Sequence, residues 1–137
     1  MILKRRGTRP GRKQRNPAAA RTNTGPSQQT RELVYGRDMW RCARCGKDVT
    51  YIQSSIQHRK ARGMGGTNDP SINSPANLIV LCGSGTTGCH GHVEVNRREA
   101  RDHGWAVSQY ADPHDVPVQY KDGLFLLDDA GHRIPTK

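Results

Sequence analysis

In the stretch Ser55-Ile-Gln-His-Arg-Lys-Ala-Arg-Gly-Met-Gly-Gly66, a β-favouring segment ends at a histidine and gives way to a glycine-rich, basic loop. Cysteine pairs bracket it, Cys42-Ala-Arg-Cys45 before it and Cys82 with Cys89 after it. Working outward, Asn77-Leu-Ile-Val-Leu81 places four consecutive apolar residues in a polar chain, which requires a buried strand. A helix is then expected from His90 to about Asp102, stopped by Gly104. The order strand, glycine-rich loop, strand, helix defines the central unit, and the fold class is α+β.

A chain of 137 residues with 33% hydrophobic and 5% aromatic content buries little apolar surface, so a domain cut from it needs a staple. The cysteines suit that role. Cys-x2-Cys and Cys-x6-Cys form two thiolate knuckles able to close on one tetrahedral zinc ion, with disulfides or free thiols as competing readings. In the first knuckle Gly46 supplies a backbone conformation that other residues resist. No apolar signal segment opens the sequence, and no apolar run approaches the roughly 20 residues needed to cross a bilayer. A soluble, cytoplasmic protein with no membrane partner is expected.

The formal charge of +10 is unevenly spread: residues 1–31 hold nine Lys and Arg and no acid. Such an arm suits a polyanion, with a merely solvated tail as the plainer reading. Residues 1–27 are too polar to offset the entropy of ordering and are expected to be disordered when free.

Elsewhere, Ser27 or Thr30 is expected to cap a short helix ending before Gly36, and Trp40 beside Cys42 is expected to pack around the metal. Arg59, Lys60 and Arg62 keep the loop after His58 positive and are candidate phosphate contacts. Beyond Gly104, Trp105–Val107 and Val116–Val118 are expected as short extended pieces, and 123–134 as a terminal β-hairpin. His103, His114 and His132 are read as plain surface residues.

Hydrolysis of a phosphodiester needs an activated water, charge stabilisation on the phosphoryl oxygens and help for the leaving 3′ oxygen. A histidine near its ordinary pKa can serve as base, and one divalent ion can do the rest. His58 at a strand end has the character of that base. His90, one residue past a zinc cysteine, is placed to hold the ion.

Cys42-x2-Cys45, Gln57-His58-Arg59 with Gly65-Gly66 seven residues on, Asn77-Leu78, Leu81-Cys82 and Cys89-His90 together resemble the HNH endonuclease family, in the zinc-stapled form of tailed bacteriophages. The resemblance covers about residues 31–102. It implies a ββα-metal unit and metal-dependent nicking or cleavage of double-stranded DNA. It also implies His58 as general base, Asn77 as a brace for the loop, His90 as ligand of a catalytic Mg2+ or Mn2+, and Cys42, Cys45, Cys82 and Cys89 as a structural zinc site.

Two positions depart from the family pattern. Gln57 stands where the family usually has a charged or imidazole ligand, and a neutral amide oxygen coordinates more weakly. Glu94 stands four residues after His90 where many relatives carry histidine, and helical spacing puts it on the same face, so its carboxylate can serve instead. His92 points elsewhere. The resulting organisation is a basic arm (1–27), a nuclease domain (28–104) and a C-terminal extension (105–137). By resemblance the protein acts in an infected bacterial host cell, processing DNA for packaging with the phage terminase. The alternative is a zinc-stabilised DNA-binding or packaging adaptor with weak or absent catalysis.

Overall fold

A computed structural model describes residues 25–61 and 70–136. Most of the basic arm lies outside them, as does Arg62. Helix α1 spans Gln28–Arg37, with the Ser27 hydroxyl accepting from the Thr30 amide at 3.1 Å as its N-cap. The chain then turns through Met39 and Trp40, both left-handed with φ of 55° and 54°. This conformation strains residues other than glycine. Here it lets Trp40 bond back to the Tyr35 carbonyl at 3.0 Å and receive the Val49 amide at 2.8 Å. Contrary to the sequence expectation, Trp40 does not pack around the cysteines: it is 48% exposed and leans on the Tyr35 ring.

Strands β1 (Ser54–His58) and β2 (Leu78–Cys82) pair antiparallel, with Ser54 opposite Cys82 and His58 opposite Leu78. Helix α2 (Gly88–Val95) packs on β2. The expected continuous helix breaks at Asn96, whose φ of −108° and ψ of 60° separate α2 from α3 (Arg97–Asp102). Leu78 to Leu81 are fully buried, as four apolar residues in succession require.

The C-terminal portion forms a second antiparallel sheet of β3 (Val118–Tyr120), β4 (Gly123–Leu127) and β5 (Arg133–Pro135), in that order. The expected hairpin is its β4–β5 part. Val118, Tyr120 and Leu127 join the same apolar cluster as Val34, Leu78 and Val93, so no core boundary falls at residue 104. Among the described residues, no helix is long and apolar enough to cross a membrane.

Two buried arginines tie these layers together. Arg37 pairs with Asp38 through Nε at 2.8 Å and also donates to the carbonyls of Pro75 and Leu78. Asp38 further accepts the Val80 amide at 3.0 Å and the Tyr120 hydroxyl at 2.8 Å, joining α1, β2 and β3 at one carboxylate. Burial works to lower the Arg37 pKa, but Asp38 holds the guanidinium charged and its pKa above the ordinary value. Removing either partner of such a pair leaves an uncompensated buried charge.

Arg59 is the second strut. It is 0% exposed, and its guanidinium donates to the carbonyls of Gly104 (2.8 Å), Ala76 (2.8 Å), Pro113 (2.9 Å) and Val116. The expected phosphate contact at Arg59 is therefore corrected: the side chain is enclosed by protein carbonyls and does not face solvent. Burial among neutral acceptors pushes its pKa down to about 10.

Candidate metal cluster and histidine cleft

The first knuckle is a tight turn closed by the Arg41 and Asp48 bridge, with Gly46 at φ 75°. Strand β2 delivers Cys82, and a short turn returns the chain to Cys89 in the first turn of α2. Gly88, at φ 60°, makes that return possible, because a Cβ there would lie 2.7 Å from the Cys82 carbonyl oxygen. All four sulfurs lie within 4.8 Å of one another, and Cys45 Sγ is 3.9 Å from Cys82 Sγ. With metal–sulfur bonds of about 2.3 Å, a tetrahedron spaces its sulfurs about 3.8 Å apart. The four cysteines could hold a metal ion, and the soft thiolate donor set suits one such as zinc. None is in a disulfide. Burial pushes the Cys42 and Cys89 thiols up, while at Cys45 the Lys47 amide and neighbouring thiols overcome burial and lower it.

Arg44 also belongs to this cluster. Its Nη1 donates to Cys89 Sγ at 3.4 Å, its guanidinium lies over the Trp105 ring at 5.7 Å, and Nη2 is 3.9 Å from Glu99.

A cleft of about 400 Å³ opens beside α2, lined by Ile56, Gln57, His58, Ala61, His90, Glu94 and Arg97. His58 and His90 thus come from a strand end and a helix start to face one space. The Nε2 of His58 lies 2.8 Å from Asn73 Oδ1, an acceptor, so this nitrogen carries a hydrogen. At His90 the pattern is reversed. Ser55 Oγ donates its only hydrogen to the Gly83 carbonyl at 2.9 Å and so accepts from His90 Nδ1–H at 2.5 Å. The lone pair is left on Nε2, 3.8 Å from Glu94 Oε1. Burial holds the His90 pKa below the usual imidazole range, Glu94 opposes this, and nearby His58 adds to the lowering. A neutral ring with a directed Nε2 lone pair is a metal donor.

Asn77 is fully buried, and its carboxamide brackets the residue after Arg59. Oδ1 accepts the Lys60 amide at 2.7 Å, while Nδ2 donates to the carbonyls of Ile72 (2.8 Å) and Lys60 (3.3 Å). The Arg59 amide meanwhile donates to the Asn77 carbonyl at 2.8 Å. His58 is therefore followed by backbone held at two successive residues. Lys60 is half-buried and bridges to Val107; of the extended piece expected at Trp105–Val107 only Val107 pairs in this way, because the Trp105 and Ala106 amides turn back to the Ala100 carbonyl.

Gln57 is 2% exposed, and its enclosed Nε2 has no hydrogen-bond partner among the described residues. An unmet buried amide costs about 1–3 kcal/mol. His92 is turned to Glu99 at 2.8 Å, away from the cleft. His114 pairs with Asp112 and Asp129, and His132 with Asp128, so neither is a bare surface residue.

No protein-family model and no curated protein sequence matches this chain. The reading of the cleft rests on its geometry.

Two of its components escaped the sequence reading. Ser55 reaches His90 only through tertiary pairing, which leaves no local signal. Arg97 was not among the expected site residues, yet it lines the cleft with Nη1 3.8 Å from Glu94. The spacing His90, Glu94, Arg97 is i, i+4, i+7, but the break at Asn96 interrupts the helix before Arg97, so helical periodicity alone does not place it.

Proposed function

We propose that this chain is a metal-dependent endonuclease of the His-Asn-His type that hydrolyses phosphodiester bonds in double-stranded DNA, with zinc held by the four cysteines as a structural staple. The observation carrying this reading is that His58 and His90 line one open cleft with opposite nitrogens committed, His58 through Nε2 and His90 through Nδ1.

In this reading His58 takes the proton of the attacking water, with Asn73 on Nε2 and the Asn77 brace keeping the ring in place. His90 Nε2 is the principal donor to a divalent ion, with Glu94 in reach and Gln57 as a weaker neutral candidate. A bound Mg2+ or Mn2+ supplies charge stabilisation to the phosphoryl and leaving oxygens. One imidazole and one carboxylate make a sparse ligand set for a hard cation, so millimolar concentrations are expected to be needed. Arg97 offers its fork of donors to a non-bridging phosphate oxygen, a role the enclosed Arg59 cannot take.

The test is conversion of supercoiled plasmid to nicked and linear forms with Mg2+, Mn2+ or EDTA, comparing wild type with His58→Ala. Ion-dependent cutting by the wild type that is lost in His58→Ala, while DNA binding persists, is the expected result. One observation favours a second reading: the amide of Gln57 brings no charge to the ion. If both proteins retard the plasmid and neither cuts it with any ion, the chain is a zinc-stabilised DNA-binding adaptor.

A further inference from the structure

We infer that Arg44 is an outer-sphere partner of the four-cysteine metal site, donating to Cys89 Sγ so as to offset excess negative charge and slow loss of the ion. The inference rests on metal binding by the cysteines and is independent of the nuclease reading.

Four thiolates around a divalent cation leave a net charge of −2 on a cluster that includes two buried sulfurs, Cys42 and Cys89. Uncompensated charge of that kind is costly inside a protein. Backbone amides serve two of the other sulfurs, Cys45 donating to Cys42 at 3.5 Å and Cys89 to Cys82 at 3.4 Å. Cys89 is met by a full cation instead, Arg44 Nη1 at 3.4 Å.

Arg44 is held in that position by its surroundings. Its guanidinium lies over the Trp105 ring, which is itself fixed by a bond from Nε1 to the Gln119 carbonyl at 2.9 Å and by stacking on His103. Its Nε is enclosed and has no hydrogen-bond partner among the described residues. The burial of that atom is offset only if the rest of the group gains from the sulfur, the ring and Glu99. The donor comes from inside the knuckle, between Cys42 and Cys45, yet it reaches the cysteine furthest along the chain. It therefore links the two halves of the site through its bond to the Cys89 sulfur as well as through the ion, and Cys89 is the residue before His90.

Outer-sphere partners of this kind change metal affinity by roughly 10–100-fold. The test compares the wild type with Arg44→Met, which keeps the stem, and Arg44→Lys, which keeps the charge. Each is loaded with Co2+, and two quantities are read: the rate of metal transfer to a chromogenic chelator, and the energy of the thiolate-to-cobalt charge-transfer band. The expected result is release roughly 10–100-fold faster in Arg44→Met, with the band moved to lower energy because a sulfur losing its donor holds its electrons less tightly. Arg44→Lys is expected to lie between the two. Three proteins with equal release rates and superimposable bands would overturn the inference. So would faster release with an unmoved band, which would make Arg44 a packing residue only. A wild type that binds no cobalt at its cysteines overturns both the metal site and its partner.

Discussion

Ser55 Oγ accepts the Nδ1 hydrogen of His90 at 2.5 Å while giving its own hydrogen to the Gly83 carbonyl. Strand β1 thereby decides which nitrogen of a helix residue faces the cleft. Replacing Ser55 with Ala removes the acceptor but leaves the strand register intact, since that register is held by backbone bonds to β2. The Mg2+ or Mn2+ concentration needed for half-maximal plasmid nicking is expected to rise roughly 10–100-fold, with little change in thermal stability. Ser55→Thr, which keeps the hydroxyl, should lie close to the wild type.

Arg97 reaches the cleft from the start of α3. Arg97→Ala in a His58→Ala background is expected to weaken DNA binding by a similar factor on unrelated sequences. It should also reduce the slope of log affinity against log salt by about one, the signature of one lost phosphate contact. Filter binding in EDTA over a salt series measures this without any cutting.

Arg59 should behave in the opposite manner. Arg59→Met leaves four carbonyls without their donor, at about 1–3 kcal/mol each, so a loss of at least about 4 kcal/mol is expected in urea unfolding. Arg98→Met, an exposed change on α3, should stay within about 0.5 kcal/mol.

His114 gives a pH dependence. The Asp112 carboxylate first, then Asp129, holds the imidazole above its ordinary value of 6.5 against a small opposing effect of burial. A group raised on folding adds stability that is complete below 6.5 and is lost as pH climbs through the folded value. Wild type should therefore exceed His114→Gln in stability at pH 5.5 and converge with it at alkaline pH. The side chain is 39% exposed, so solvent limits the gap to about 0.2–1 kcal/mol. Urea unfolding at both pH values reads it.

Much of the framework was legible because it depends on local chemistry. Four apolar residues from Leu78 to Leu81 had to be buried, and the cysteine spacings had to bring four sulfurs together once that strand formed. Asn77 was expected as a brace only through the resemblance of its motif, since taken alone it reads as a turn residue. What stayed hidden depends on distant partners. Arg59 looks like one more cation in a basic loop, and only the return of residues 104–116 encloses it. Trp40 reads as core by composition, but two left-handed residues turn it outward. The break at Asn96 follows from its backbone angles, and neither Pro nor Gly marks it in the sequence.

The socket of Arg59 has a bearing on portability. Its walls come from residues 76, 104, 113 and 116, so the segment that completes it follows the cysteines, strands β1 and β2 and helices α1 to α3. A fragment ending at Gly104, though it contains every histidine and cysteine of the cleft and cluster, would carry an arginine stripped of half its acceptors immediately beside His58. Transplanted into a fusion, such a fragment would bring the histidines and cysteines and leave behind part of the masonry that holds them. The smallest transferable unit in this chain extends at least to Leu127, where the last residue of the shared core is laid.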